Sequence, residues 1–522
     1  MYSCIYNYCL NNMNNYNIKS MKKEVFVVFA LMVTLHLYPQ KILQLEDCRQ
    51  MALTHNKSLK MAQESVNAAR ELKKAAFTQF LPNFSANGTY AWNQKSLSLL
   101  SEDALLPVGS KMADGSFGFT ADQVSNKWTL INGQPVPLDA TNTPFNPKTS
   151  PDKIQWKGYA LLPKSAMEFD IKNVFAGSIG FIQPIFMGGK IKELYNLAGY
   201  SENLALAQQE NKVSDLILEV DEAYWRVVSI ENKVKLATEY RHLIAQLDSD
   251  VNVMIEEGVA TKSEALKIKV KLNEADITLT KAEDGLTLSK MALNQLCGIQ
   301  LDETYTLGDQ DLTAETLTQL IPVEQALANR PEIKALTQVE NMARSNEKIM
   351  ISRFLPNIVL SGNYLISNPN SFNGYKNEFG GMFTVGVVAN VPLFHFGERI
   401  HTLNAAKSQH RLATLQTEEA KEKMQLQIKQ CTFKVAESLK KEASTQHNIE
   451  QAEENLQNAT EGFQEGVITS TDLLGAQTAW LSAKSENIDA SIDTKLCNVY
   501  LAKSLGTLKA PAQPAQTIKT KK

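Results

Sequence analysis

From Phe84 onward the chain alternates: Phe84, Ala86, Gly88, Tyr90 and Trp92 fall on one side of an extended segment, and Asn83, Ser85, Asn87, Thr89 and Ala91 on the other. Ile358, Leu360, Gly362, Tyr364 and Ile366 keep the same phase further along, and about residues 174–183 and 382–391 two more stretches place Phe175, Ile179 and Phe181 in the positions of Phe383, Val387 and Ala389, opposite one another. A period of two, apolar against polar or small, predicts strands with one face toward lipid and one toward water. Each run has roughly ten residues, the length that crosses a bilayer as a tilted strand. Four strands cannot close a barrel, and open strand edges are not tolerated in lipid. Three chains giving four strands each would make twelve, so the strand count points to an oligomer.

The period then changes. Val213, Leu216, Val220, Ala223, Val227, Ile230, Val234 and Ala237 recur at spacings of three and four, as do Ile449, Ala452, Leu456, Ala459 and Phe463, which predicts long helices with heptad seams. No proline falls between Pro184 and Pro322 or between Pro392 and Pro511, so each tract is expected to hold two helices meeting at a turn. Residues 44–80 and 322–354 also read as helices. Pro82, Pro184, Pro356 and Pro392 are placed at the strand boundaries. Both helical turns carry one device: Gly258 precedes Thr261-Lys-Ser-Glu264 and Gly466 precedes Thr469-Ser-Thr-Asp472, the pattern of a capped helix start.

These elements come twice. QFLPNFSANGTY at 79–90 matches RFLPNIVLSGNY at 353–364, an offset of 274; EEGVATKSEAL at 256–266 matches QEGVITSTDLL at 464–474, an offset of 208. The difference, 66 residues, is one insertion in the first copy. The expected organisation is a leader over 1–40, a first repeat over 41–300 with a long loop at 93–173 and a tip at 258–262, a linker over 301–321, a second repeat over 322–506 with a tip at 466–470, and a tail over 507–522. The proline-rich loop reads equally as a surface lid and as a disordered decoration.

Composition narrows the partners. Met21, Lys22 and Lys23 followed by VFVVFALMVTLHL have the layout of a secretory signal, too short for a membrane span. The chain has 53 basic and 56 acidic residues, a balance that argues against nucleic acid. Of six cysteines, Cys4 and Cys9 precede the signal, and Cys48, Cys297, Cys431 and Cys497 are isolated, which indicates neither a disulfide framework nor a zinc site. The residues LQLED before Cys48 are not a lipid-attachment motif. Gly188-Gly189-Lys190 lacks the spacing of a phosphate loop and reads as a break between strand and helix. His395, His401 and His410 lack metal-ligand spacing, and there is no G-x-S-x-G elbow. No catalytic residue, cofactor or metal is therefore expected.

With these pieces together the chain resembles the TolC family of outer-membrane efflux proteins over about residues 44–506. The FLPN motifs at Phe80 to Asn83 and Phe354 to Asn357, the P-[IL]-F motifs at Pro184 and Pro392, and the tips EGVAT and EGVIT carry the likeness. The resemblance implies an α+β membrane protein: a homotrimer with a twelve-stranded β-barrel in the outer membrane of a Gram-negative bacterium, continued by a twelve-helix coiled-coil tunnel in the periplasm. It implies passive conduction of substrates in a tripartite efflux or type I secretion system, with a periplasmic adaptor and an inner-membrane pump of the resistance-nodulation-division, ABC or major-facilitator type. Gly258, Val259 and Thr261, with Gly466, Val467 and Thr469, match the tips where adaptors bind, and Asp472 matches a position whose carboxylates ring the entrance. The chain departs from that family where a second acidic position falls on Gly475, an arginine on Ile468 and a tyrosine on Phe463.

Alternatives stand beside several of these readings. Asp472 and Glu264 either face the pore and favour cations or cap their helices, roles that are compatible. Tyr90, Trp92 and Tyr364 belong either to an aromatic girdle at the lipid interface or to loop edges. For the whole chain the rival is a trimeric coiled-coil adhesin or periplasmic spacer without a pore, which has no need of two amphipathic strand pairs.

Overall fold

The computed structural model describes residues 42–509 apart from 112, 119–120 and 309–318. The leader, with its signal segment, Cys4 and Cys9, lies outside the described residues, as does most of the tail. The chain divides into two compact units.

One unit, residues 75–192 and 348–400, holds the four long strands. They are β1 (Asn83–Trp92), β2 (Asn173–Met187), β3 (Asn357–Asn368) and β4 (Gly380–Asn390), paired antiparallel in the order β4-β3-β2-β1. Directly opposed residues share a face of the pleat. Phe84, Tyr90, Phe181 and Phe175, then Gly362 and Tyr364, then Val385 and Phe383 are therefore all on one side. Asn87, Ser178, Thr384 and Asn363 are on the other. The predicted phase holds on every strand. One placement is corrected: β2 and β4 are not opposite one another, because β3 lies between them, although their aromatic residues do share the apolar face.

Pro184 is also corrected. Pro82 and Pro356 immediately precede strands and Pro392 follows one, but Pro184 lies inside β2, where the register slips between Pro184 and Phe186. A proline lacks the N–H that a ladder needs, and a bulge absorbs the mismatch. Beyond Ile182, paired with Asn83 at the start of β1, the ladder of β2 continues with β3.

The segment between β1 and β2 is folded. It contains a hairpin, Trp128–Ile131 with Gln134–Pro137, turning at Asn132 and Gly133 with positive φ, and a second strand pair, Ala104–Pro107 with Tyr159–Leu162. Asn-Gly at such a turn is the expected chemistry. Asn126 ties the segment together, donating to Leu138 O at 2.8 Å and accepting from Gln155 N at 2.6 Å.

The described residues of the other unit, which spans 1–74, 193–347 and 401–522, are mainly helical. Its helices are α1 (Leu45–His55), α2 (Lys57–Thr78), α3 (Lys190–Glu256), α4 (Lys262–Cys297), α5 (Val323–Asn329), α6 (Pro331–Ser352), α7 (Glu398–Gln464) and α8 (Ser470–Ser504). The helices expected over 44–80 and 322–354 are each broken, at Asn56 and at Arg330, which are 274 residues apart. Asn56 has extended backbone and its Oδ1 accepts from Ser58 N at 2.8 Å, so it caps a new helix. Arg330 precedes Pro331, and the residue before proline is pushed out of helical geometry. Helices α3 and α7 have 67 residues each, about 100 Å of contour at 1.5 Å per residue.

Among α3, α4, α7 and α8 the polar links run in series. Arg241 on α3 meets Asp276 on α4, Lys233 and Asp215 on α3 meet Asp489 and Lys503 on α8, and Lys441 and Glu453 on α7 meet Asp493 and Lys484 on α8. The order α4-α3-α8-α7 explains why α3 is buried on more than its heptad seam, with Ile217, Tyr224, Trp225 and Val228 in the interior beside Leu216 and Val220. A short parallel pair, Ile42–Leu43 with Thr306–Leu307, closes one end of that core. Cys48 is wholly buried there, which leaves no room for a lipid on its sulfur. Among the described residues no helix is long and apolar enough to cross a membrane.

Candidate functional site: the helical tips and the amphipathic sheet

The two tips are built alike. Helix α3 ends in Gly258 with φ of +77°, and α7 in Gly466 with φ of +73°. Gly258 N donates to Ile255 O at 3.0 Å and Val259 N to Met254 O at 2.9 Å; Gly466 N donates to Phe463 O at 3.0 Å and Val467 N to Gly462 O at 2.8 Å. These paired bonds are a Schellman closure, which a left-handed glycine permits.

The next helix starts at once. Thr261 Oγ1 accepts from Glu264 N at 3.3 Å while Glu264 Oε2 accepts from Thr261 N at 2.8 Å. Thr469 Oγ1 accepts from Asp472 N at 3.2 Å while Asp472 Oδ2 accepts from Thr469 N at 3.2 Å and from its hydroxyl at 2.7 Å. Both capping boxes are thus formed. Hydrogen bonds from the Thr261 backbone and hydroxyl hold the Glu264 carboxyl below its ordinary value, and those from the Thr469 hydroxyl and backbone do the same for Asp472. Both carboxylates are ionised at neutral pH.

Both tips join one core. Leu247, Val251 and Ile268 of the first hairpin and Phe463, Leu473 and Trp480 of the second are buried in it, with Met254, Ala260 and Ile468 packed alongside. Phe463 and Ile468, two positions where the chain departs from the pattern of the resemblance, are packing residues here, whereas Gly475 is exposed. Val259 and Val467 stand outside this core, 73% and 75% exposed. Nothing in the sequence pattern separates them from the buried valines of the seams; only the turn geometry does.

On the sheet, the Phe84 and Phe181 rings lie 5.8 Å apart and the Tyr90 and Phe175 rings 4.9 Å apart. Trp92 is 67% exposed at the far end of β1. The six-residue step from Phe84 to Tyr90 sets the two aromatic rows about 20 Å apart.

A family model described as "Outer membrane efflux protein" matches residues 323–507, which span the second helix–strand–hairpin tract. Over that tract the chain is similar to the outer membrane efflux proteins. The outer membrane protein TolC of Vibrio cholerae is 22% identical over 298 residues, 56% of this chain and 68% of that protein. The alkaline protease secretion protein AprF of Pseudomonas aeruginosa is 22% identical over 285 residues, 53% of this chain and 59% of that protein. The crystal structure of the outer membrane protein VceC from Vibrio cholerae superposes with a TM-score of 0.64 at 17% identity, over 88% of this chain and 96% of that one. The chain is a protein of the outer membrane.

Proposed function

We propose that three copies of the chain form a closed channel through which a partner pump expels its substrates, the strands making the wall in the membrane and the helical hairpins the periplasmic passage, in an architecture duplicated within each chain. The observation that carries this reading is the sheet: one face apolar on all four strands, and β1 and β4 left as its two edges. An unpaired edge costs several kcal/mol per unsatisfied group in hydrocarbon, so β1 of one copy pairs with β4 of the next. Three sheets give twelve strands, within the range of bacterial barrels.

The helices support the same closure. α4 leaves Leu266, Val270, Ile277 and Leu288 exposed along one stripe, and α7 leaves Leu412, Leu415, Leu426 and Phe433. These helices stand at the two ends of the series α4-α3-α8-α7, so a stripe of one copy covers that of its neighbour. The aromatic rows suit the roughly 25 Å height of an outer-membrane apolar band, with Tyr90 and Trp92 in a girdle, whereas Tyr364, in register with Ile179 and Ala86, lies between the rows. The spacer reading leaves the apolar sheet face without a purpose.

Partners follow from the tips. Val259 and Val467 hold apolar side chains in water beside rigid, capped turns, a surface suited to a periplasmic adaptor at Gly258 to Thr261 and Gly466 to Thr469. The adaptor couples the channel to an inner-membrane pump that supplies the energy; conduction itself is passive. Asp472 and Glu264 present negative charge at the entrance while capping their helices. Planar-bilayer recording of the purified protein tests the proposal. Stable single-channel currents are expected; a pure, folded protein that never conducts removes it.

A further inference from the structure

At the helix-proximal ends of the strands Met187 pairs with Asn357, and Asn357 with Asn390. Their neighbours Ile358 and Ala389 belong to the apolar face, so these three residues lie on the polar one. A cavity of about 290 Å³ opens there, lined also by Lys190, Arg353, His395, Glu398 and Arg399. Its permanent charges are three cations and one carboxylate. Glu398 Oε1 lies 3.6 Å from Arg353 Nη1, and Arg399 Nη1 donates to Pro392 O at 3.2 Å while Nη2 contacts the His395 ring. One carboxylate balances one cation, and an excess of two positive charges remains.

The backbone adds to this. Lys190 and Glu398 are the first residues of α3 and α7, two 67-residue helices whose first-turn N–H groups carry partial positive charge. The Gly188-Gly189 turn brings Lys190 to Arg353: a Cβ on Gly188 would sit 2.8 Å from Ser352 O, and its φ is +59°. The glycine pair is not a phosphate loop, yet it delivers a lysine and a helix start to one polar cavity.

We propose that this cavity is an oxyanion site on the water-facing side of the sheet, taking a phosphate, sulfonate or carboxylate group, most simply one carried by an anionic substrate in transit. Its volume fits one such group with its hydration rather than a drug-sized molecule. The placement rests on the channel reading, in which the polar face lines water.

The test uses full-length protein in planar bilayers, with inorganic pyrophosphate as the probe. Wild-type current is expected to be blocked by pyrophosphate. Lys190→Gln and Arg353→Gln should each raise the half-blocking concentration by roughly tenfold, the factor for losing one charge-assisted hydrogen bond. Arg353→Lys should largely restore block, and Lys190→Glu should shift the reversal potential in a salt gradient toward cations. Channels that conduct but show the same block and reversal potential in all variants overturn the site and leave the channel reading standing, whereas absence of wild-type current overturns both. If pyrophosphate has no effect while phospholipid co-purifies with wild type and not with Lys190→Gln, the group belongs to a lipid and the water-facing placement is wrong.

Discussion

At the scale of single residues the tips depend on a few hydrogen bonds that can be removed one at a time. Thr469 supplies the side-chain oxygen for the first turn of α8, so Thr469→Ala should cost about 1 kcal/mol, read as faster hydrogen exchange confined to the second tip. The carboxylates give a pH signature. Because Asp472 and Glu264 have depressed values in the folded state, their contribution is present above the ordinary carboxylate range near 4 and is lost as pH falls through the folded values. Tip protection, normalised to the intrinsic exchange rate, should stay level from pH 7 to about pH 5 and fall only in stronger acid; a loss centred near neutrality would contradict the assignment. Whether Asp472 also acts on ions is separable. Asp472→Asn should lower cation selectivity, and unchanged single-channel selectivity would reduce the residue to a cap. The capping pattern was legible in the sequence because a box occupies four consecutive positions, whereas the burial of Phe463 was not, since it depends on the other hairpin packing across it.

At the scale of elements the sheet makes the sharpest contrast. Thr384 and Val385 are neighbours in the middle of β4 but lie on opposite faces. An arginine at the apolar position faces hydrocarbon, at a cost that rises with depth to roughly 2–4 kcal/mol at the bilayer midplane. Val385→Arg should therefore sharply reduce assembled protein in outer-membrane fractions while Thr384→Arg leaves the amount near wild type; equal effects would show that the faces are misassigned. In the helical unit Arg49 grips the wholly buried Asp221 through two bonds of 2.7 and 2.6 Å. Arg49→Met leaves that carboxylate buried without its guanidinium and should cost about 3–5 kcal/mol in thermal unfolding. The alternation of the strands and the length of the proline-free helices were readable because both are local periodicities. The Arg49–Asp221 pair was not, because its partners are 172 residues apart. The helix breaks were readable in part. Pro331 announces one, but Asn56 reaches the same break by a cap, and a lone asparagine in a helical pattern carries little weight. Pro184 misled because a bulge lets a proline sit inside a strand.

At the scale of the whole molecule, one chain leaves two layers unfinished. The sheet ends at β1 and β4, and the helical series ends at α4 and α7, each with an exposed apolar stripe. In the proposed ring a neighbouring copy would complete each of them through a heterologous contact. Cysteines at Ala86 and Val385, central on the two edge strands, should therefore form disulfides between chains and give a ladder ending at three; a ladder that stops at one would mean the edges do not meet. The proposed duplication rests on the two sequence offsets, and the proposed need for more than one copy on the strand count. The folded state of the inserted segment was not legible, because its short hairpins are too brief to show a period. The most direct test is the number of chains in the detergent-solubilised particle, measured by native mass spectrometry. Three chains are predicted, and a folded particle of one or two chains would contradict the account.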